Sequence, residues 1–101
     1  HQLYQALSER SEKFMQYINL ITQLPNTKDE SMCRIYDYLI QAALFSNMGI
    51  SQKELEHEMG MTYNTVRSRL KRIPEELLIT NKQGNRPFYL LNLKAVDELI
   101  K

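Results

Sequence analysis

Between Thr62 and Lys101 the chain gathers Arg67, Arg69, Lys71 and Arg72 into one short run, and Lys82 and Arg86 bracket a Gln83-Gly84-Asn85 tip. Cations this close together have one general use, which is to neutralise a polyanion, because each phosphate they meet releases condensed counterions. Among them stand side chains with directional hydrogen bonds: Thr62, Tyr63, Asn64, Thr65 and Ser68. The net charge of +1 conceals this arrangement. Residues 1–61 hold five Lys/Arg against eight Asp/Glu, a net of −3, whereas residues 62–101 hold eight against four, a net of +4. A charged face of this kind is also what simple solvation produces, so charge by itself leaves both readings open.

Other chemistries lack their residues. The chain has no glycine-rich phosphate loop, no Cys/His spacing for a metal and no readable Ser-His-Asp combination, so neither an enzyme nor a cofactor is expected. His57, between Glu56 and Glu58, has no second ligand at helical spacing and reads as solvent-exposed. Cys33 is the only cysteine, which excludes an internal disulfide and suits a reducing compartment; it reads as a small buried or half-buried side chain, with a reactive thiol sensor as the rival role. No apolar run nears the roughly 20 residues that span a bilayer, and no secretory signal is present, so a cytoplasmic, nucleoid-associated protein without a membrane partner is expected. The first residue, His1, suits a trimmed chain or a piece of a longer protein.

The elements that must hold these residues follow from apolar spacing. Tyr4, Leu7, Phe14, Ile18 and Ile21 recur at steps of three, four or seven, predicting an amphipathic helix from Gln2 to Leu24 that Pro25-Asn26 ends. Met32, Ile35, Tyr36, Leu39, Ala43 and Leu44 predict a second helix from about Lys28 to Ser46, closed by Gly49 in a left-handed conformation. Ser51 and Glu54 have the form of a capping box for a short helix to Met59, with Leu55 and Met59 inward and Gly60 as the turn. Thr62 then caps a helix ending near Ile73 before Pro74, with Val66, Leu70 and Ile73 as its buried stripe. Asn64, Ser68 and Lys71 form the opposite face, flanked by Arg67 and by Thr65 and Arg72. Leu77–Thr80 and Pro87–Leu91 read as a hairpin, and Leu93 to Ile100 as a last helix with Val96, Leu99 and Ile100 on one side.

In this order Glu54-Leu55, Gly60-Met61-Thr62, Thr65-Val66, Leu70, Leu78-Ile79 and Gly84-Asn85-Arg86-Pro87-Phe88-Tyr89 resemble a prokaryotic winged helix-turn-helix DNA-binding domain over residues 32–91. Two features depart from that pattern: the Asn64-Thr65-Val66 start of the third core helix and the extra N-terminal helix. The resemblance implies a mainly α fold with a small β-hairpin, in which a three-helix core carries a two- or three-stranded sheet. One domain over 1–101 is expected, with an N-terminal helix at 1–24, the winged-helix core at 28–91 and a C-terminal helix at 93–101.

It also implies roles. The helix over 62–73 would enter the major groove and the wing over 78–91 would reach a minor groove or the backbone. Asn64, Arg67 and Ser68 would read base edges, arginine favouring guanine and asparagine adenine. Thr62, Tyr63 and Thr65 would hold a phosphate at the helix start, with packing beneath the wing as the rival role for Tyr63. Lys71 and Arg72 would meet the backbone, Arg69 would form a salt bridge or touch a side phosphate, and Lys82, Asn85 and Arg86 would serve the wing. Sequence-specific double-stranded DNA binding by a dimeric transcriptional regulator is the leading expectation. The alternatives are a plasmid, phage or transposon protein of replication, partition or recombination, and a winged helix used only for protein contact. The N-terminal helix displays Leu3, Tyr4, Leu7, Phe14, Ile18 and Ile21, which either pack on their own core or, with the C-terminal helix, join a second copy. No small-molecule ligand is inferable.

Overall fold

The computed structural model describes the backbone of residues 2–100 and, among these, all side chains except those of residues 2–4 and 6. Five helices and a small antiparallel sheet follow one another as α1 (Gln2–Leu20), α2 (Glu30–Phe45), β1 (Ile50–Ser51), α3 (Gln52–Met59), α4 (Tyr63–Leu70), β2 (Leu78–Gln83), β3 (Arg86–Leu91) and α5 (Leu93–Ile100). The fold is thus mainly helical with a small sheet, and no described helix is long and apolar enough to cross a membrane.

Local chemistry explains most boundaries. Asp29 caps α2 by accepting from the Ser31 amide. Ser51 and Glu54 form the predicted capping box, Gly60 ends α3 at φ +61°, and Thr62 caps α4 by accepting from the Thr65 amide. The core is built on α2, where Met32, Ile35, Tyr36, Leu39 and Ile40 are fully buried, and it takes in Leu55 and Met59, Val66, Leu70 and Ile73, and Leu77, Leu91 and Val96. Ile40 and Ala42 are more deeply buried than the predicted Ala43 and Leu44, which are only partly covered.

Several predicted limits move. The first helix leaves α geometry at Leu20 and finishes in a 3₁₀ turn, Ile21–Gln23, whose Ile21 and Leu24 are buried. The second ends in extended geometry at Ser46, so Gly49 is not its C-terminal residue. Gly49 takes φ +108° for another reason: a Cβ there would lie 2.6 Å from the Tyr89 carbonyl oxygen, and only a bare Cα lets the chain pass that close to β3. This approach creates the two-residue strand β1, which pairs Ile50 with Tyr89 and Ser51 with Phe88. The sheet order is β1-β3-β2, leaving β2 at an edge.

The hairpin is longer than predicted, with Leu78 opposite Leu91 and Gln83 opposite Arg86 around the two-residue turn Gly84-Asn85. Residues flanking a two-residue turn exchange hydrogen bonds and the pairs alternate, so the nitrogen of Pro87 faces away from β2, past the end of β1.

α1 divides in two. Its C-terminal half packs on the core through Phe14, Tyr17 and Ile18; the Phe14 ring meets that of Phe45 edge-on at 6.3 Å, and the Tyr17 hydroxyl donates to Asp97 of α5 at 2.7 Å. Because Phe45 is the last residue of α2, the preceding turns of α1 run on past its end for roughly 18 Å at 1.5 Å per residue. Gln5 and residues 7–13 are all exposed, Leu7 to 47%, and Met15 is exposed to 56%. The expectations for Leu3 and Tyr4 lie outside the described side chains, and Lys101 of the predicted last segment lies outside the described residues. Within α5, Val96 is buried but Leu99 is exposed, contrary to its predicted place on the inner side.

Candidate nucleic-acid interface

α4 presents the predicted residues on its outer surface. Val66 and Leu70 fix the buried side, which leaves Asn64, Arg67, Ser68 and Lys71 exposed. The helix is shorter than predicted: Lys71 is its C-cap, and bonds from Arg72 N–H to Arg69 O (3.0 Å) and from Ile73 N–H to Leu70 O (3.2 Å) tighten the chain into a 3₁₀-like turn ahead of Pro74. Lys71 and Arg72 therefore stand just beyond the helix.

At the helix start, the Thr62 and Thr65 hydroxyls lie 2.9 Å apart and bond each other, so both already have a partner. Tyr63 is 51% exposed and is not packed into the core; its hydroxyl accepts from Arg67 Nη1 at 3.1 Å. Arg67 separates two open grooves. One, of about 860 Å³, lies between α3, Tyr63 and β3, with Phe88 and Arg86 on its far side. Its α3 wall carries Glu54, Glu56 and Glu58, an unfavourable surface for phosphate. The second, of about 400 Å³, lies between α4 and the hairpin and includes Lys71, Thr80 and Tyr89. Burial raises the Tyr89 hydroxyl above its ordinary pKa, the nearby Arg67 charge opposing the rise, so Tyr89 stays a neutral floor residue.

The hairpin does not use its two cations alike. Lys82 pairs with Pro87 and Gln83 with Arg86, and side chains alternate along a strand, so Lys82 shares the face of Tyr89 and Thr80 whereas Arg86 projects from the opposite one. Lys82, Asn85 and Arg86 are exposed as expected; Lys82 shares the face of Thr80 and Tyr89, which line the groove beside Lys71, while Arg86 lines the groove that holds Tyr63 and Arg67.

Arg69 forms the salt bridge that its position near the buried stripe suggested. Its Nε lies 3.2 Å from Asp29 Oδ2 and donates to Ser31 Oγ at 2.9 Å. Arg72, expected to meet a DNA backbone, is taken by the same carboxylate at 3.2 Å while remaining 44% exposed. Ser31 gives Asp29 two further bonds, from its hydroxyl at 2.6 Å and its amide at 2.9 Å. These contacts hold the Asp29 carboxyl below its ordinary pKa, the Ser31 hydroxyl contributing most, then the Ser31 amide, with the two arginines adding less.

Sequence reasoning missed the residues that orient α4. The Gln52 side chain, buried between α3 and α4, donates to Tyr63 O at 3.1 Å, and Asn26 Nδ2, from a residue at φ +66°, donates to Arg72 O at 2.8 Å. Together with Asp29 they fasten both ends of α4 from outside the helix. The one local signal that could have found any of them is the N-cap form of Asp29-Glu30-Ser31, which the helix predicted from about Lys28 passes over; the partners lie up to 46 residues away.

Among the described residues no group of His, Cys, Asp and Glu could hold a metal ion. Comparison with known proteins gives no match, either to a protein-family model or to a curated protein.

Proposed function

We propose that this chain is a winged helix-turn-helix protein that binds double-stranded DNA sequence-specifically, with α4 in the major groove and the β2–β3 hairpin as its wing, and that it serves as a transcriptional regulator acting as a dimer. The observation that carries the reading is the outer surface of α4, where Asn64, Arg67, Ser68 and Lys71 are all exposed and polar or basic beside a hairpin bearing Lys82. The order of elements supports it too: three helices, a short strand between the first two, then a hairpin. Asn64, Arg67 and Ser68 are the base readers, Lys71 and Lys82 neutralise phosphate, and Arg86 with Asn85 reaches outward from the other face of the hairpin. The second copy covers the arm of α1 that carries Leu7 and Met15.

Selection of bound fragments from random duplex DNA tests the reading. The expected result is an enriched site with two-fold symmetry, whose affinity falls steeply with salt; Lys71→Ala lowers the slope by about 0.9, and Arg67→Ala costs about 1–3 kcal/mol and relaxes the preference at one base. No enrichment, with both variants equal to the parent, refutes DNA reading by α4 and leaves a protein-contact role.

A further inference from the structure

Six cations lie along the proposed interface, and two of them, Arg69 and Arg72, are ion-paired within the protein. Asp29 draws four donors to one carboxylate: the amide and hydroxyl of Ser31, Arg69 Nε and Arg72 Nη1. A carboxylate presents two anionic oxygens to an arginine much as a DNA phosphate does, so the two compete for the same donors. Arg72 stands one turn beyond Ser68, and a duplex backbone passing the end of α4 would compete with Asp29 for its guanidinium.

We infer that Asp29 limits the sequence-independent affinity of the interface by withholding Arg69 and Arg72 from DNA phosphates. The inference rests on the DNA-binding reading and deepens it. Exposed cations bind any duplex alike, so each one withheld weakens non-specific binding while Asn64, Arg67 and Ser68 keep their access to bases. Arg69, with a side chain 22% exposed and also bonded to Ser31, is held more firmly than Arg72 at 44%. Arg72 is therefore the cation released first.

Asp29→Asn tests this, because asparagine caps a helix about as well as aspartate, its amide oxygen keeping the Ser31 bonds, while an uncharged NH2 donor takes the place of the oxygen that holds the two arginines. Binding to a random-sequence duplex is measured as a function of salt, with folding checked by circular dichroism. The expected outcome is a slope of log affinity against log salt steeper by about 0.9 for each cation freed, which is roughly eightfold tighter binding per cation at about 0.1 M salt. Glu30→Gln, on the exposed neighbour, changes the net charge equally and serves as the control; its slope should stay near that of the parent.

A second arm adds a variant that does not depend on Asp29→Asn folding. Arg72→Ala in the otherwise native chain should leave the slope nearly unchanged, whereas the same change in the Asp29→Asn background should lower it by about 0.9. A parent chain that binds duplex with a steep slope, together with an Asp29→Asn slope equal to it or a full loss on Arg72→Ala alone, overturns the inference and leaves the DNA-binding reading standing. A parent chain with no salt-dependent duplex binding overturns both.

Discussion

Replacing Gly49 with alanine puts the largest demand on the smallest change. A Cβ at this position would sit 2.6 Å from Tyr89 O and 2.9 Å from Tyr89 C, both in the backbone of the central strand, with Leu90 Cδ2 at 3.1 Å. No side chain can swing away to relieve the contact. The left-handed conformation alone costs roughly 1–2 kcal/mol for an alanine, and parting two paired backbones adds a similar amount, so about 2–4 kcal/mol is expected in all. For a domain near 100 residues that lowers Tm by about 10–25 °C. Gly60→Ala is the matched control: φ is +61°, yet nothing lies within 4 Å of its Cβ, so only the conformational cost remains. Thermal unfolding followed by circular dichroism separates the two. β1 also holds Ser51, the cap of α3, so the Gly49 variant should lose duplex affinity at temperatures where it is still folded, as the helices shift against the hairpin. Equal losses of Tm in the two variants would show that the close approach to Tyr89 is not the constraint on Gly49.

Three further outcomes can be checked. Lys82→Ala and Arg86→Ala should each lower the salt slope for duplex binding by about 0.9, Lys82 lying on the hairpin face of Thr80 and Tyr89 and Arg86 on the groove that holds Tyr63 and Arg67; an unchanged slope in both would remove the hairpin from the interface. Gln52→Leu removes the donor to Tyr63 O and should destabilise the chain by about 1–3 kcal/mol in urea titrations; an unchanged midpoint would mean that this carbonyl finds another partner. Asp29 has a folded pKa below its ordinary value of 3.8, so the stability its ionised form contributes is complete above the unfolded value and is lost as pH falls through the lower folded one. Acid unfolding curves of Asp29→Asn and the parent should therefore draw together as the pH falls below the unfolded value of 3.8, and an offset that stays constant from neutral pH into the acid limb would contradict the linkage.

What could be read in the sequence was what is decided within four or five residues. The Ser51-Glu54 box, Gly60 and Thr62 appear where predicted because a cap and its amide are chain neighbours. The buried stripe of Val66, Leu70 and Ile73 followed from helical period, and so did the exposed face that carries the proposed function. What escaped depends on contacts distant along the chain. β1 has two residues and exists only because Gly49 lets the chain lie against Tyr89, 40 residues on. α4 ends at Leu70 rather than Ile73 as its last turn tightens ahead of Pro74, with Asn26 bonded to Arg72 O. Arg72 looked free by its angle on a helical wheel, which has no place for an aspartate from another helix. Leu99 was placed inward by period alone, but α5 is anchored through Val96 and by Asp97 to Tyr17, leaving Leu99 outside.

The order β1-β3-β2 leaves β2 as an unpaired edge six residues long, and such an edge invites another chain to add a strand. Lys82 sits on that edge, and on the central strand Pro87 offers no amide where the pairing with β1 has ended. The hairpin is thus guarded against self-stacking by two residues that read at first as parts of a binding surface. Neutralising Lys82 has a second effect beside any change in affinity: the variant should aggregate sooner on warming than Arg86→Ala, and the gap should widen with protein concentration.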